Sequence, residues 1–285
     1  MATLKQIRRR IRSVQSTQQI TKAMEMVAAA KLRRAQERAV QSRPYSEKTS
    51  EMLRSLASAA STLSHPLFEQ RPVQRQTLAF FASDKGLCGS FNMNVFRFIE
   101  RTFSEDERSR MDLYPGGRRA NEYFGKRDWN VAGGLPLLGD QLHFERAKSI
   151  AHELTNDFVE GRTDRVQLVY TKFRTVASRE VVIEDLLPIV PMEDGEGAAS
   201  GGYIFEPNPE KIFETLLPRY VGNRVLQAMA ESIASEHSAR MLAMGAATKN
   251  AKEVLDALTL QANRLRQASI TKEILDIVGG AEALK

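Results

Sequence analysis

Residues 3–43 read TLKQIRRRIRSVQSTQQITKAMEMVAAAKLRRAQERAVQSR and contain neither glycine nor proline. Leu4, Ile7, Ile11 and Val14 are spaced 3, 4, 3, the seam of a coiled coil. Thr3 is placed to cap the N-terminus. The apolar positions then shift: Ile20, Met24 and Val27 resume the 4, 3 spacing, but six residues after Val14. That pattern predicts one long helix with a slipped heptad, followed by an Ala-rich stretch that lets a partner approach closely. Forty residues at ~1.5 Å each span ~60 Å, too long for a helix buried in a small domain. Pro44 is expected to kink or end it, with helix resuming from Glu47 to Leu63.

The far end of the chain mirrors this one. Pro207-Asn208-Pro209 is a helix start, with Asn208 as cap and Pro209 in the first turn. From there to Val278 is ~105 Å of helix if unbroken. Apolar steps recur at Leu255, Leu258, Ala262, Leu265, Ile270, Ile274 and Ile277, and Gly279-Gly280 is a natural stop. Two amphipathic helices at opposite ends of one chain need a surface to bury their seams. An antiparallel coiled coil between them is the simplest solution.

The middle differs in kind. Thirteen of the 17 glycines lie between Gly86 and Gly202. Thr77–Ala82, Met111–Tyr114, Val166–Phe173 and Glu180–Leu187 read as strands, the last two as neighbours. Asn92–Thr102, Gly117–Lys126 and Gln141–Gly161 read as helices, the last with Phe144, Ala147, Ala151, Leu154 and Phe158 on one side. Strand–helix alternation argues for a small open α/β sheet of Rossmann-like type. The expected fold class is therefore α/β, a long coiled coil of the two terminal helices with this small domain inserted. The expected divisions are 1–63 for the first helix, 73–190 for the α/β domain, 191–207 for a mobile loop and following segment, and 208–285 for the second helix and tail.

Charge narrows the function. The chain of 285 residues carries a formal charge of +6, yet residues 1–43 hold eleven basic and two acidic side chains. This +9 segment leaves the remainder at −3, which points to an acidic partner surface or a nucleic acid. An Arg-rich, acid-poor start also suits a transit peptide, although no apolar h-region follows for a secretory signal. Residues 1–43 contain no Phe, Tyr or Trp to stack on bases. Eleven cations on one helix exceed what a solvated face requires, which favours acidic protein surfaces as the partner. The longest apolar run, Val181 to Met192, is broken by Glu184, Asp185 and two prolines and cannot span a membrane.

Catalytic signatures are missing. No Gly-Lys-Ser or Gly-Lys-Thr occurs, and no G-x-G-x-x-G follows a strand. The Asp84–Gly89 loop after the first strand reads as a tight turn needing Gly at positive φ, with an anion cradle as the alternative. His152-Glu153-Leu154-Thr155-Asn156 has Asn where a zinc helix needs its second His. Cys88, the only cysteine, permits no intrachain disulfide and reads as a small buried residue. It fits a reducing compartment. No cofactor or metal is expected.

Three stretches carry a specific resemblance: Ile7 to Gln36 (IRRRIRSVQSTQQITKAMEMVAAAKLRRAQ), Ser83 to Asn92 (SDKGLCGSFN) and Glu231 to Gly280 (ESIASEHSARMLAMGAATKNAKEVLDALTLQANRLRQASITKEILDIVGG). Together, in order and at matching total length, they resemble the gamma subunit of F-type ATP synthase. The resemblance implies a non-catalytic rotor shaft that transmits torque between the membrane c-ring and the catalytic beta subunits. The implied partners are the alpha and beta subunits, the epsilon subunit and the c-ring, with no nucleic acid. The family's mature sequence begins almost at Met1 here, so the transit reading gives way to a bacterial protein, peripheral on the cytoplasmic face of the inner membrane. The extra cysteine pair of plastid members is absent.

The resemblance also implies contact residues. Met24, in K-A-M-E-M, would meet an acidic loop of a beta subunit, with seam packing as the alternative. Arg240, Gln267, Thr271 and Glu273 would make polar contacts with the beta "catch" region, against ordinary exposed helix surface for Gln267 and Thr271. Tyr203, Phe205 and Glu206 would form the foot facing the c-ring, where Phe205 replaces the Tyr of some members.

Overall fold

The computed structural model describes residues 3–59, 65–135, 144–190 and 209–282. The chain divides into two compact units, one formed by residues 1–28 with 241–285, the other by residues 29–240. The long helices are thus shared: each contributes one end to each unit.

The 29–240 unit contains an open five-stranded sheet. Its strands are β1 (Gln76–Phe81), β2 (Met111–Gly116), β3 (Asn130–Val131), β4 (Arg165–Phe173) and β5 (Arg179–Leu187), in the order β3-β2-β1-β4-β5. The first four are parallel, and β5 runs antiparallel beside β4. This is the 3-2-1-4 order of a Rossmann-type half with an antiparallel edge. The central strand β1 is buried at all six residues, because both faces of the sheet are covered. Leu78 and Phe80 join α2 (Phe91–Thr102) and α4 (Arg118–Phe124) through Val95, Phe96, Ile99, Ala120 and Phe124. Ala79 and Phe81 face α5 (Phe144–Val159) and α6 (Pro209–Glu282) through Ala151, Leu154, Phe158, Leu217, Val221 and Val225. Burying each such large side chain contributes about 1.5–3 kcal/mol.

The expected strands and helices all occur, with ends moved by a few residues. Three short elements were not expected. β3 is too short for any alternation to register. The helix α3 (Glu105–Arg108) is a single turn made by a capping box, in which Ser104 and Glu107 bond each other's backbone N–H. A 3-10 turn at Pro66–Phe68 is started by His65, whose Nδ1 accepts from the Leu67 N–H at 3.2 Å. Phe144, expected on the buried side of α5, is half exposed at its first described residue.

His65 makes a testable point. Burial lowers its pKa below the ordinary 6.5, with nearby Glu214 partly opposing. A His whose folded pKa is depressed binds its proton more readily in the unfolded chain, so stability is lost as pH falls below about 6.5. Replacing His65 with Asn should flatten that part of the stability–pH curve. Urea midpoints at pH 7.5 and 5.5 measure it, and an unchanged slope counts against the neutral-acceptor role.

In the 1–28/241–285 unit, the helix α1 (Leu4–Ala59) opens with a capping box at Thr3. The Gln6 N–H donates to Thr3 Oγ1 at 3.3 Å, and the Thr3 N–H donates to Gln6 Oε1 at 2.9 Å. Thr248 Oγ1 donates to Thr21 Oγ1 at 2.9 Å, and the Cβ position of Gly245 lies 3.5 Å from the Glu25 carboxyl. As α1 advances from 21 to 25, α6 retreats from 248 to 245, so the helices are antiparallel.

The heptad slip expected at Ile20 does not occur. Leu4, Ile7, Ile11, Val14, Gln18, Thr21, Glu25 and Ala28 are buried or half-buried at unbroken 3, 4 spacing, with Met24 half-buried beside them. Ile20 and Val27 point outward, 58% and 54% exposed. The seam keeps its geometric register and changes its chemistry, admitting Gln18, Thr21 and Glu25. Thr21 is accommodated because it donates to the Gln18 carbonyl at 3.0 Å while accepting from Thr248.

Two breakers do not end their helices. α1 continues through Pro44 to Ala59 as one helix, and Pro218 lies inside α6. Gly279 and Gly280 do not stop α6, which runs to Glu282. A helical Gly costs only about 1 kcal/mol against Ala, and no positive φ is adopted there.

Candidate functional site

The seam of α6 mirrors that of α1: Met244, Thr248, Ala251, Leu255, Leu258, Ala262 and Leu265 are buried or half-buried. Extending the 21-to-248 pairing places Ile7 opposite Ala262 and Leu4 opposite Leu265. There α1 begins, so among the described residues of this unit no helix lies beside α6 beyond Leu265. Described side chains from Arg266 onward are all exposed.

That overhang is apolar on one side. Ile270, Ile274, Ile277 and Val278 fall at i, i+4, i+7 and i+8, a single helix face. Ile277 is 72% exposed and Val278 59%. Their spacing suggested continuation of the intrachain seam. The structure reassigns them to an outward surface, a change that follows once the start of α1 is set against the pairing.

The expected contact residues divide. Gln267, Thr271 and Glu273 lie exposed on this overhang. Thr271 Oγ1 donates to the Gln267 carbonyl at 3.0 Å, and Ser269 Oγ donates to Glu273 Oε1 at 3.2 Å. Met24 is half-buried, flanking the seam between exposed Ala23 and Met26. Along the same helix Lys5, Arg8, Arg9, Arg10, Arg12 and Lys22 are exposed, and Lys22 pairs with Glu25 at 3.2 Å. Tyr203, Phe205 and Glu206 fall outside the described residues, as does the 192–202 loop.

Arg240 belongs to the other unit and is turned inward. Its guanidinium pairs with Glu236 at 2.7 Å, with both side chains about nine-tenths buried. Nη2 also donates to the Lys85 and Gly86 carbonyls at 3.2 and 3.3 Å. Its donors hold the turn after β1.

That turn lies at the carboxyl end of β1, beside β4. In open α/β sheets this switch point is where ligands bind. Here Ser83, Cys88 and Asn92 occupy it with a closed network: Asn92 Oδ1 accepts from the Ser83 N–H at 2.9 Å, and its Nδ2 reaches Ser83 Oγ at 2.7 Å. Cys88 is buried against Phe91 and Ala239. Gly89 takes a positive φ as expected, but so does Leu87, at 62°. Among the described residues no group of three or more His, Cys, Asp or Glu side chains could hold a metal ion. His152 is exposed. No described helix is long and apolar enough to cross a membrane.

The family model for ATP synthase matches residues 3–284. The chain is 43% identical over 301 residues to the ATP synthase gamma chain of Chloroherpeton thalassium, covering 100% of this chain and 99% of that one. The chain belongs to the ATP synthase gamma chain family. The gamma chain of Heliobacterium modesticaldum is 44% identical over 292 residues, with 100% of both chains covered. Among solved structures, the central stalk/c-ring of the Tetrahymena thermophila mitochondrial ATP synthase superposes with a TM-score of 0.61 at 26% identity, covering 80% of this gamma chain and 99% of that chain. The match to both relatives runs from end to end, through the two terminal helices and the inserted sheet of this chain.

Proposed function

We propose that this gamma chain is the central rotor shaft of an F-type ATP synthase. It transmits torque between an ion-driven c-ring and the catalytic beta subunits, coupling ion translocation to ATP synthesis or hydrolysis. It has no catalytic site or cofactor of its own. Its partners are the alpha and beta subunits around the helices, the epsilon subunit and the c-ring. Its place is the cytoplasmic face of a bacterial inner membrane, reached through the c-ring.

The observation that carries this reading is the overhang of α6. A helix that exposes Ile270, Ile274, Ile277 and Val278 on one face, beyond its intrachain partner, requires a surrounding apolar sleeve. Gln267, Thr271 and Glu273 are its polar contacts with the beta subunits, and Met24 with its basic neighbours faces an acidic beta loop. Arg240, the remaining polar contact with the beta subunits that the resemblance implies, keeps 10% of its side chain exposed beside the turn it holds. Tyr203, Phe205 and Glu206 form the foot on the c-ring.

The test is assembly. Purified alone, the chain should show no ATPase activity. Mixed with alpha and beta subunits it should co-elute at substoichiometric ratio and support hydrolysis, and a chain that remains separate refutes the reading. Within the assembled complex, Met24→Lys adds a cation beside the acidic loop and should impair coupling of hydrolysis to ion pumping. Unchanged pumping per ATP would remove Met24 from the contact.

A further inference from the structure

From Glu231 to Arg240 the helix α6 reads ESIASEHSAR, a polar sequence, yet every residue but the half-buried Glu231 is buried. Ser232, Ser235 and Ser238 have no exposed surface. A helix buried on all sides is normally apolar on all sides. The polar groups here are used against the backbone at the carboxyl end of the sheet. β1 pairs with β4 only as far as Phe80 and Val169, whereas β4 continues to Phe173. Beyond β1, the Thr171 N–H donates to Ser232 Oγ at 3.3 Å, and the Thr171 carbonyl accepts from Ser235 Oγ at 3.0 Å. The Phe173 N–H donates to Glu231 Oε2 at 2.7 Å. Ser238 Oγ donates to the Val176 carbonyl at 2.5 Å and accepts from Arg179 Nη1 at 3.0 Å.

Apolar packing is non-directional, so a helix held by it can turn or slide with gradual loss. Hydrogen bonds to fixed backbone groups are directional and fail together when a helix rotates by one residue. Buried polar groups are best attested as devices that fix register. We infer that Glu231, Ser232, Ser235 and Ser238 form a rotational lock, the point at which a couple passes between α6 and the α/β sheet. The inference rests on the shaft reading. It assigns the lock to side chains whose bonds lie within the chain itself.

The test uses the assembled complex in sealed membrane vesicles, reading ATP hydrolysis and ATP-driven ion uptake together. The double variant Ser232→Ala, Ser235→Ala should keep hydrolysis and lose ion uptake per ATP several-fold. Glu231→Gln keeps an acceptor for the Phe173 N–H and should stay coupled, whereas Glu231→Ala should not. Ile99→Val, in the apolar layer on the other face of the sheet, serves as a control for loss of stability alone and should leave coupling unchanged. Normal coupling in the double variant overturns the lock and leaves the shaft reading standing. Equal uncoupling in Ile99→Val also overturns it, because stability alone would then be the cause. If the unsubstituted chain fails to couple, the shaft reading falls and the lock falls with it.

Discussion

Replacing Arg240 with alanine should lower the unfolding free energy of the isolated chain by about 3–5 kcal/mol. The pair it makes with Glu236 at 2.7 Å is about nine-tenths buried on both sides. Removing the guanidinium takes the paired cation from the Glu236 carboxylate, whose side chain is only 8% exposed, and desolvation dominates the cost. The Lys85 and Gly86 carbonyls lose their donor as well. The double variant Arg240→Met, Glu236→Leu should recover most of the loss, because exchanging a buried pair for apolar volume is often neutral. Urea unfolding of the four chains gives the coupling energy directly. If Arg240 served only to touch a partner subunit, the isolated Arg240→Ala chain would unfold like the parent and only the complex would suffer. A loss under about 1 kcal/mol would therefore return Arg240 to the surface role its motif suggested.

The α/β unit was legible because its strands and helices carry different periods. Thr77–Ala82 is an apolar run with no alternation, as a central parallel strand should be, and β1 is buried at every residue. The coiled coil was legible as a pairing but not in register. Gln18, Thr21 and Glu25 continue the seam, whereas Ile20 and Val27 advertise a false one. An apolar pattern marks surface removed from water by any partner, and it does not say whether that partner is in the same chain. The same ambiguity hid the overhang: Ile270, Ile274 and Ile277 keep helical spacing past the point where α1 begins. The burial of Arg240 was illegible for the opposite reason. A charged residue in a polar helical stretch reads as exposed, and only the tertiary fold shows that ESIASEHSAR is surrounded. Its bonds run to backbone groups at Thr171, Phe173 and Val176, more than fifty residues away in sequence, and side-chain spacing alone carries no trace of them.

Gly117→Ala should be still more damaging, costing more than about 4 kcal/mol or preventing folding. Gly117 joins β2 to α4 at φ 94° and ψ 145°, a region that side chains other than glycine avoid. A Cβ there would overlap the Ala82 carbonyl oxygen and stand 2.9 Å from its carbon. Neither strand end can retreat. The Ala82 N–H donates to the Gly116 carbonyl at 2.9 Å, and the Arg119 N–H donates to the Ser83 carbonyl at 3.1 Å. Ser83 is completely buried and tied to Asn92. Moving the backbone at Ala82–Ser83 would break these bonds and displace the turn that Arg240 grips. Gly222 is the matched contrast, since a Cβ there meets nothing within 4 Å and the helix needs no positive φ. Gly222→Ala should instead stabilise the chain by about 0.4–1 kcal/mol, through helix propensity and a less flexible unfolded state. Thermal unfolding of the two variants beside the parent separates the cases. A Gly117→Ala chain that folds and melts within a few degrees of the parent would mean that the paired ends of β1 and β2 can open. The switch point would then be a deformable site, and the closed network of Ser83, Cys88 and Asn92 could not be what keeps it filled.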